Sequence, residues 1–277
     1  MVRTSLITAT AWLCLSPWAQ AFDHEHSAFN TLLNTYVADG SVNYAGLVTQ
    51  PTALADYLAS LASVNPDEIA GWDEAQQLAF WINAYNALAL DTVAAHYPLK
   101  RRGLRGFAYP SSSIQQIEDV WTVKRRVIGG ELRSLDDIEH GIIRANFDEP
   151  RIHFALVCAA VSCPLLRAEA YRATQLETQL AEQLTGFLAD PARGLSVDVR
   201  RKRIHVSAIF KWFAVDFPLP AGFDGNLAGK TQQAGVVYFL TQAAPQSAIA
   251  ALRSNDYRVS YLKYDWALNE QSAPVGP

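Results

Sequence analysis

The sequence is short of cysteine and has no excess of basic charge, and each shortage removes a class of protein. Three cysteines in 277 residues are too few for a disulfide scaffold. Lys and Arg number 23 against 27 Asp and Glu, a net charge of −4. That balance lacks the basic surface that displaces counterions, so no nucleic-acid partner is expected. Gly (15) and Pro (13) are ordinary, and no heptad run, collagen period or internal repeat is present. A phosphate-binding glycine loop, a Gly-x-Ser-x-Gly elbow and a dinucleotide fingerprint are also missing, and no cofactor is expected. What remains is a chain that is 50% hydrophobic, enough for a sizeable core and too apolar for a disordered protein.

The long apolar run opens the chain. Met1-Val2-Arg3 is a positive start, Leu6 to Trp18 is apolar, and Ala19-Gln20-Ala21 has the small-x-small pattern read by signal peptidase. The run is short of the roughly 20 residues that span a bilayer, and Pro17 breaks a helix just before the cleavage point. These features predict a signal peptide over 1–21 and a single periplasmic or secreted domain over 22–277. No transmembrane segment is expected once the leader is removed. Trp12 stands where a lipoprotein signal wants a small residue, which argues against Cys14 as a lipid acceptor. Loss of Arg3 takes the net charge to −5 and leaves Cys158 and Cys163, now where disulfides form and persist.

Helical periodicity runs from His26 to Val37 through Phe29, Leu32, Leu33 and Tyr36. It recurs from Pro51 to Val64 through Leu54, Tyr57, Leu58 and Leu61. The strongest helix is Glu74 to His96, with Asp73 and Gln76 as a capping box and Pro98 as its stop. Leu78 to Leu88 is apolar nearly all round, which predicts a buried central helix. Gly129-Gly130 joins one hairpin, Thr122–Val127 with Glu131–Ser134. Arg200-Arg201-Lys202 joins another, Leu195–Val199 with Arg203–Val206. Ser134 with Asp137 caps a helix to Ala145, and Thr174 with Glu177 caps Gln175–Ala189. Ile152 to Cys158 reads as a buried strand and Tyr257 to Tyr264 as a closing one. Short helices are expected from Ser207, over Gln232–Gln242 and over Ser247–Ser254. Grouped helices and hairpin strands predict α+β, helices around a mainly antiparallel sheet.

Chemistry-bearing residues concentrate between Arg151 and Pro164. Cys158 lies where the expected strand meets a small-residue loop. Cys163 precedes Pro164, read as the first residue of a helix whose amides favour a thiolate. Strand alternation places His153 and Cys158 on opposite faces. Asp136 sits one helical turn before His140 and can orient its ring, whereas Glu139 projects about 100° away from it. Asn83 and Asn86, on the central helix, either orient a histidine or satisfy backbone groups. His24 and His26 read as a mobile end, His96 as a helix C-terminal residue, and His205 as part of the second hairpin. The basic clusters at 100–102 and 200–203 read as solvated turns, and Trp212 with Phe210 and Phe213 as core. Three readings of the cysteines stay open. One is a nucleophilic thiol. Another is a zinc site with His140 and His153, although no His-x-x-x-His or Cys-x-x-Cys spacing occurs. The third is a Cys158–Cys163 disulfide, which rules out resting thiol chemistry but not a redox cycle.

Four blocks occur in order: Phe80–Asn86, Ile138–Arg144, Arg151–Cys158 with Ser162-Cys163-Pro164, and Ile209–Phe213 with Asp216-Phe217. Together, over about 80–217, they resemble the family catalogued as domain of unknown function five-four-seven, in its exported bacterial type. The resemblance implies no established substrate or partner. It implies that the position of Cys158 is the steadier one, while that of Cys163 is serine in some plant members. That favours Cys158 as the functional thiol over an obligatory disulfide or a four-ligand zinc site. Plant members join the domain to a leucine zipper, and no heptad run exists here to carry that partner role. The leading reading is a thiol-dependent hydrolase or acyl transferase. Cys158 is its nucleophile, His140 its base, Asn83 or Asp136 the orienting group, and amides near Ala159-Ala160 hold an oxyanion. Because His140 precedes Cys158, this fits a papain- or transglutaminase-like arrangement only if distant or permuted. The alternatives are a noncatalytic envelope binding or assembly protein and a zinc-binding protein.

Overall fold

The computed structural model describes residues 21–101, 103–221, 233–254 and 256–272. All but the last residue of the expected signal peptide, Cys14 included, lies outside the described residues, as do Arg102 and Gln232. The chain begins with α1 (Ser27–Tyr36), a hairpin of β1 (Val37–Ala38) and β2 (Ser41–Val42), and α2 (Tyr44–Thr49). Next come α3 (Thr52–Ser63), α4 (Pro66–Ala70) and α5 (Glu74–Ala94). The buried faces of α1 and α3 contain the four residues that the periodicity predicts for each. In α5 the Asp73–Gln76 capping box is formed, and every residue from Leu78 to Leu90 is buried. A helix covered on all sides fixes the packing of its neighbours, so α5 is the axis of the first apolar cluster.

β3 (Arg126–Ile128) and β4 (Glu131–Arg133) form the first expected hairpin. Its turn residues Gly129 and Gly130 have φ of 57° and 77°, a conformation that side chains resist. The Ser134–Asp137 capping box starts α6 (Leu135–Ile138), which runs through a π turn (Glu139–Ile143) into α7 (Arg144–Asn146). α8 (Leu176–Ala189) follows, then the antiparallel pair β5 (Leu195–Asp198) and β6 (Arg203–Val206). After α9 (Ile209–Trp212), α10 (Ala234–Ala243) and α11 (Gln246–Arg253), β7 (Arg258–Tyr261) joins β6 in parallel. The class is α+β, with small antiparallel sheets and one mixed three-stranded sheet. This sheet and the last helices enclose a second apolar cluster around Phe154, Phe187, Phe210 and Phe217. Tyr264 packs against both clusters.

Four local expectations are corrected. Ile152 to Cys158 is not a strand: Pro150–Phe154 is a 3-10 helix followed by irregular chain. Pro150 suits a helical start, and the Glu149 carboxylate accepts from Arg151 N–H at 3.0 Å. Thr174 caps nothing, because α8 begins after a 3-10 turn at Ala173–Gln175, and Glu177 instead pairs with Arg151 at 2.7 Å. Cys163 is not at a helix start; it follows a turn in which its N–H donates to Ala160 O at 3.0 Å. His26 belongs to no mobile end, being 1% exposed, with Nδ1 2.7 Å from Tyr57 Oη and Phe22 packed on its ring. His24 likewise lies edge-on to Trp72.

Burial pushes the His26 imidazole down from 6.5 to about 4. Above pH 6.5 the ring is neutral folded or unfolded; below it, the unfolded chain takes a proton that the folded protein refuses until about pH 4. Stability therefore falls as pH drops through this window. At pH 5, His26 is expected to account for a loss of about 2 kcal/mol relative to pH 7. Urea unfolding at both pH values should show that His26→Phe has a flatter dependence than the unaltered chain.

Candidate functional site

The side-chain amide of Asn86 ties α5 to the chain that leads to the cysteines. Its Nδ2 donates to Ala155 O at 3.0 Å and its Oδ1 accepts from Val157 N–H at 2.9 Å. This supplies the partners that a neighbouring strand would have offered, and leads the chain directly to Cys158. Cys158 and Cys163 are joined by a disulfide. Between them Ala159 has φ of 59°, a left-handed conformation uncommon for alanine. The C-terminal segment holds this loop from outside: Asn269 N–H donates to Ala159 O at 3.1 Å and Val161 N–H to Ala267 O at 2.8 Å. The same segment brings Tyr264 Oη to 3.2 Å from both sulfurs.

The disulfide forms part of the wall of a cavity of about 220 Å³. Tyr85 enters it from α5, with Asp136, Glu139 and His140 from α6 and the π turn. A π turn admits an extra residue per turn and is frequent where side chains must be re-aimed. The opposite walls are aromatic. Tyr264 packs against Trp212 and Trp266, with ring centroids 4.8 and 4.6 Å away, and the two indoles stack on each other at 5.8 Å. Trp121 and Phe213 complete them. Phe210 is core, as expected, whereas Trp212 and Phe213 line the cavity, and Trp212 is 46% exposed. Trp212 ends a helix of only four residues, and Phe213 follows it directly.

His153 also lines the cavity, stacked on Phe213 at 4.1 Å. Its Nε2 is 2.6 Å from Asp216 Oδ2, and Arg144 grips the same carboxylate with two bonds of 2.6 and 2.8 Å. Burial outweighs the attraction of Asp216 and pushes His153 down to about 4. The ring is therefore neutral at pH 7 and Nε2 carries the proton given to Asp216, leaving Nδ1 as the acceptor nitrogen. Burial of Asp216 is in turn overcome by Arg144 and His153, which hold its carboxyl below the usual range. At Glu139 burial prevails over the nearby His140 and a hydrogen bond from Tyr85, and its carboxyl is raised. Burial, with the Glu139 charge behind it, also pushes Tyr264 up.

The structure brings Cys158, Cys163, His140, His153, Asp136 and Glu139 to one cavity. It does not bring Asn83, whose amide bonds both Tyr171 O (2.7 Å) and Tyr171 N (2.9 Å). His140 Nε2 is 3.7 Å from Asp136, the expected neighbour. Its Nδ1, however, is 2.9 Å from Arg144 Nη1, and a guanidinium only donates. With Nδ1 accepting and Nε2 protonated, His140 has no idle basic nitrogen. No hydrogen bond joins Cys158 to either histidine; its sulfur meets Tyr264. The zinc reading loses its thiolate ligands, because the disulfide ties up both sulfurs. Among the described residues no group of three or more His, Cys, Asp or Glu is placed to hold a metal ion.

Arg144 and Asp216 stood inside the blocks that carry the family resemblance without being singled out. Tyr264 and Trp266 gave no signal, since nothing in a short strand-like run tells which loop it will cover. Residues 69–188 match the family described as "Protein of unknown function, DUF547", the family that the sequence blocks resemble. No curated protein and no solved structure matches the chain. Trp212, Phe213, Asp216, Tyr264 and Trp266 all lie beyond the matched stretch. No helix among the described residues is long and apolar enough to cross a membrane.

Asn86→Ala would leave a buried carbonyl and a buried N–H without partners. A loss of about 2–4 kcal/mol is expected in urea unfolding. The 158–163 loop should also exchange its amide hydrogens faster than α5 does.

Proposed function

We propose that the cavity is the active site of an exported, thiol-dependent hydrolase or acyl transferase that acts once the disulfide is opened. The carrying observation is that Cys158 and a neutral, Asp216-oriented His153 line the same cavity. His153 replaces His140 as the base in this reading, because the ring nitrogen of His140 that lacks a proton is occupied by Arg144. Opening needs an external thiol reductant, which donates two electrons and two protons to the sulfurs. Nδ1 of His153 then takes the Cys158 proton, and the thiolate adds to a substrate carbonyl carbon. Collapse of the adduct expels the leaving group, to which the imidazolium returns the proton. Water, or an acceptor nucleophile, releases the acyl group and restores the thiol. Glu139, with its raised carboxyl at the same cavity, supplies a second proton carrier. Aromatic walls exclude water from the thioester and favour a flat or apolar acyl group.

The noncatalytic alternative rests on the same walls, which hold a small ligand whether or not the sulfur reacts. The two readings part on covalent labelling. Reduced protein incubated with an activated aryl ester should gain one acyl mass on Cys158, seen by mass spectrometry of its peptides. His153→Ala should slow that acylation by about 100-fold or more. No adduct on reduced protein, or an equal rate in His153→Ala, leaves the binding reading in its place.

A further inference from the structure

The loop that carries the disulfide is fixed without it. Asn86 holds the chain on the N-terminal side through Ala155 and Val157. Beyond the first cysteine, the C-terminal segment bonds Ala159 O and Val161 N, and Ser162 N–H donates to Asp265 O at 3.2 Å. Ser162 Oγ also accepts from Asp265 N–H at 2.8 Å. A cross-link stabilises mainly by shortening the unfolded chain's loops, and its effect grows with loop length. With its cysteines only five positions apart, this one closes a short loop and contributes little. A bond that adds little to an already clamped loop, and that faces a cavity, has the setting of a reactive group.

The two sulfurs are not equivalent. Cys158 is half-buried on the cavity wall, whereas Cys163 is 2% exposed. Tyr264 Oη stands 3.2 Å from each sulfur, and the buried one has a further donor that the other lacks. Cys158 N–H points to Cys163 Sγ at 3.0 Å, and Tyr264 O–H donates to it at 3.2 Å. Donors aimed at a sulfur favour its thiolate over its neutral or bonded forms, and so favour its departure from a disulfide.

We propose that Cys158–Cys163 is a redox-active couple that exchanges with an external dithiol, Cys158 being the sulfur attacked and Cys163 the sulfur that leaves. A donor thiolate attacks Cys158 Sγ. The bond between the cysteines breaks, and its electron pair goes to Cys163, where the Cys158 amide and Tyr264 receive it. The donor's second thiolate then attacks the donor sulfur of the mixed disulfide and frees Cys158. The donor ends as a disulfide; the protein has gained two electrons, and its two sulfurs take up the two protons that the donor thiols lost. Glu139, on the same cavity with a raised carboxyl, is placed to carry one of them. The reverse sequence oxidises the couple. This inference does not rest on acyl transfer, though the dithiol form is the one in which acyl transfer would run.

The test uses the whole chain and two probes, glutathione and dithiothreitol. Folded protein is equilibrated in buffers of graded thiol-to-disulfide ratio, alkylated and weighed, while near-ultraviolet circular dichroism reports the fold. The expected result is two alkylated thiols at Cys158 and Cys163 with the aromatic signal of folded protein retained. Cys163→Ser should form a mixed disulfide with glutathione at Cys158, and Cys158→Ser should do so at least about tenfold more slowly, because its remaining thiol is buried. Tyr264→Phe, which keeps the ring, should slow opening about tenfold, the effect of one hydrogen bond to a charged sulfur. The inference is overturned if the bond opens only with loss of the folded signal, or if Cys158→Ser captures glutathione as fast as Cys163→Ser. Should either serine variant fail to fold, the titration of the unaltered chain and of Tyr264→Phe still decides. This test contains no acyl substrate, so the two readings fail separately: exchange here with no adduct in the aryl-ester labelling of reduced protein retains this inference and removes the previous one, and acylation of protein that had to be unfolded to be reduced does the opposite.

Discussion

The side-chain amide of Asn86 fixes the chain that leads to the cavity's disulfide. It comes from a helix buried on every face, so its own position is among the least adjustable in the molecule. By pairing with one backbone acceptor and one donor it mimics an adjacent strand, and lets an apolar segment run through the core without a sheet. Asn83, one turn earlier, does the same for the chain at Tyr171. Two amides thus replace a whole sheet edge. The Cys158 loop that follows lines the cavity.

Charge is arranged around that loop with a clear division. Arg144 neutralises Asp216, so the carboxylate that faces His153 is ionised without leaving an uncompensated buried charge. Asp216 can then fix the tautomer of a ring that burial keeps neutral. Arg144 reaches His140 as well, drawing on the ring nitrogen that a base would need. One guanidinium therefore sets the proton positions of both cavity histidines, and it separates a ring that can accept from one that cannot. Asp136 and Glu139, on the same helical rod, differ for another reason. Glu139 projects inward to Tyr85 and is raised by burial, while Asp136 stays near the more exposed His140.

What could be read from the sequence follows the range over which each interaction acts. The buried faces of α1 and α3, the capping boxes at Asp73 and Ser134 and the Gly129-Gly130 turn are settled within a few residues. They were legible for that reason. Ile152 to Cys158 was not, because its hydrogen-bond partner is a side chain 71 residues away at Asn86, and a short apolar run alone does not distinguish strand from turn. That local error had a distant effect: strand alternation placed His153 and Cys158 on opposite faces, whereas a 3-10 turn lets both line the cavity. Cys158 and Tyr264 lie 106 residues apart, so no spacing rule could join them.

The cavity is also divided along the chain. Cys158, Cys163, His153 and Glu139, which line the cavity, and Asn86, which braces the chain beside it, lie inside the stretch that matches the family, residues 69–188. Trp212, Phe213, Tyr264 and Trp266, which with Trp121 make the cavity's aromatic walls, come from beyond that stretch. They are delivered by α9 and by a C-terminal segment that meets the cysteine loop mainly through backbone hydrogen bonds. Backbone pairing constrains the path of a segment but few of its side chains, so the aromatic walls can change while the loop stays clamped. Substitutions there would alter which molecule fits, leaving sulfur, imidazole and carboxyl in place. Asp216 is the exception that links the two parts. It lies outside the matched stretch yet orients a histidine inside it, so the tautomer of His153 depends on chain that the family match does not reach.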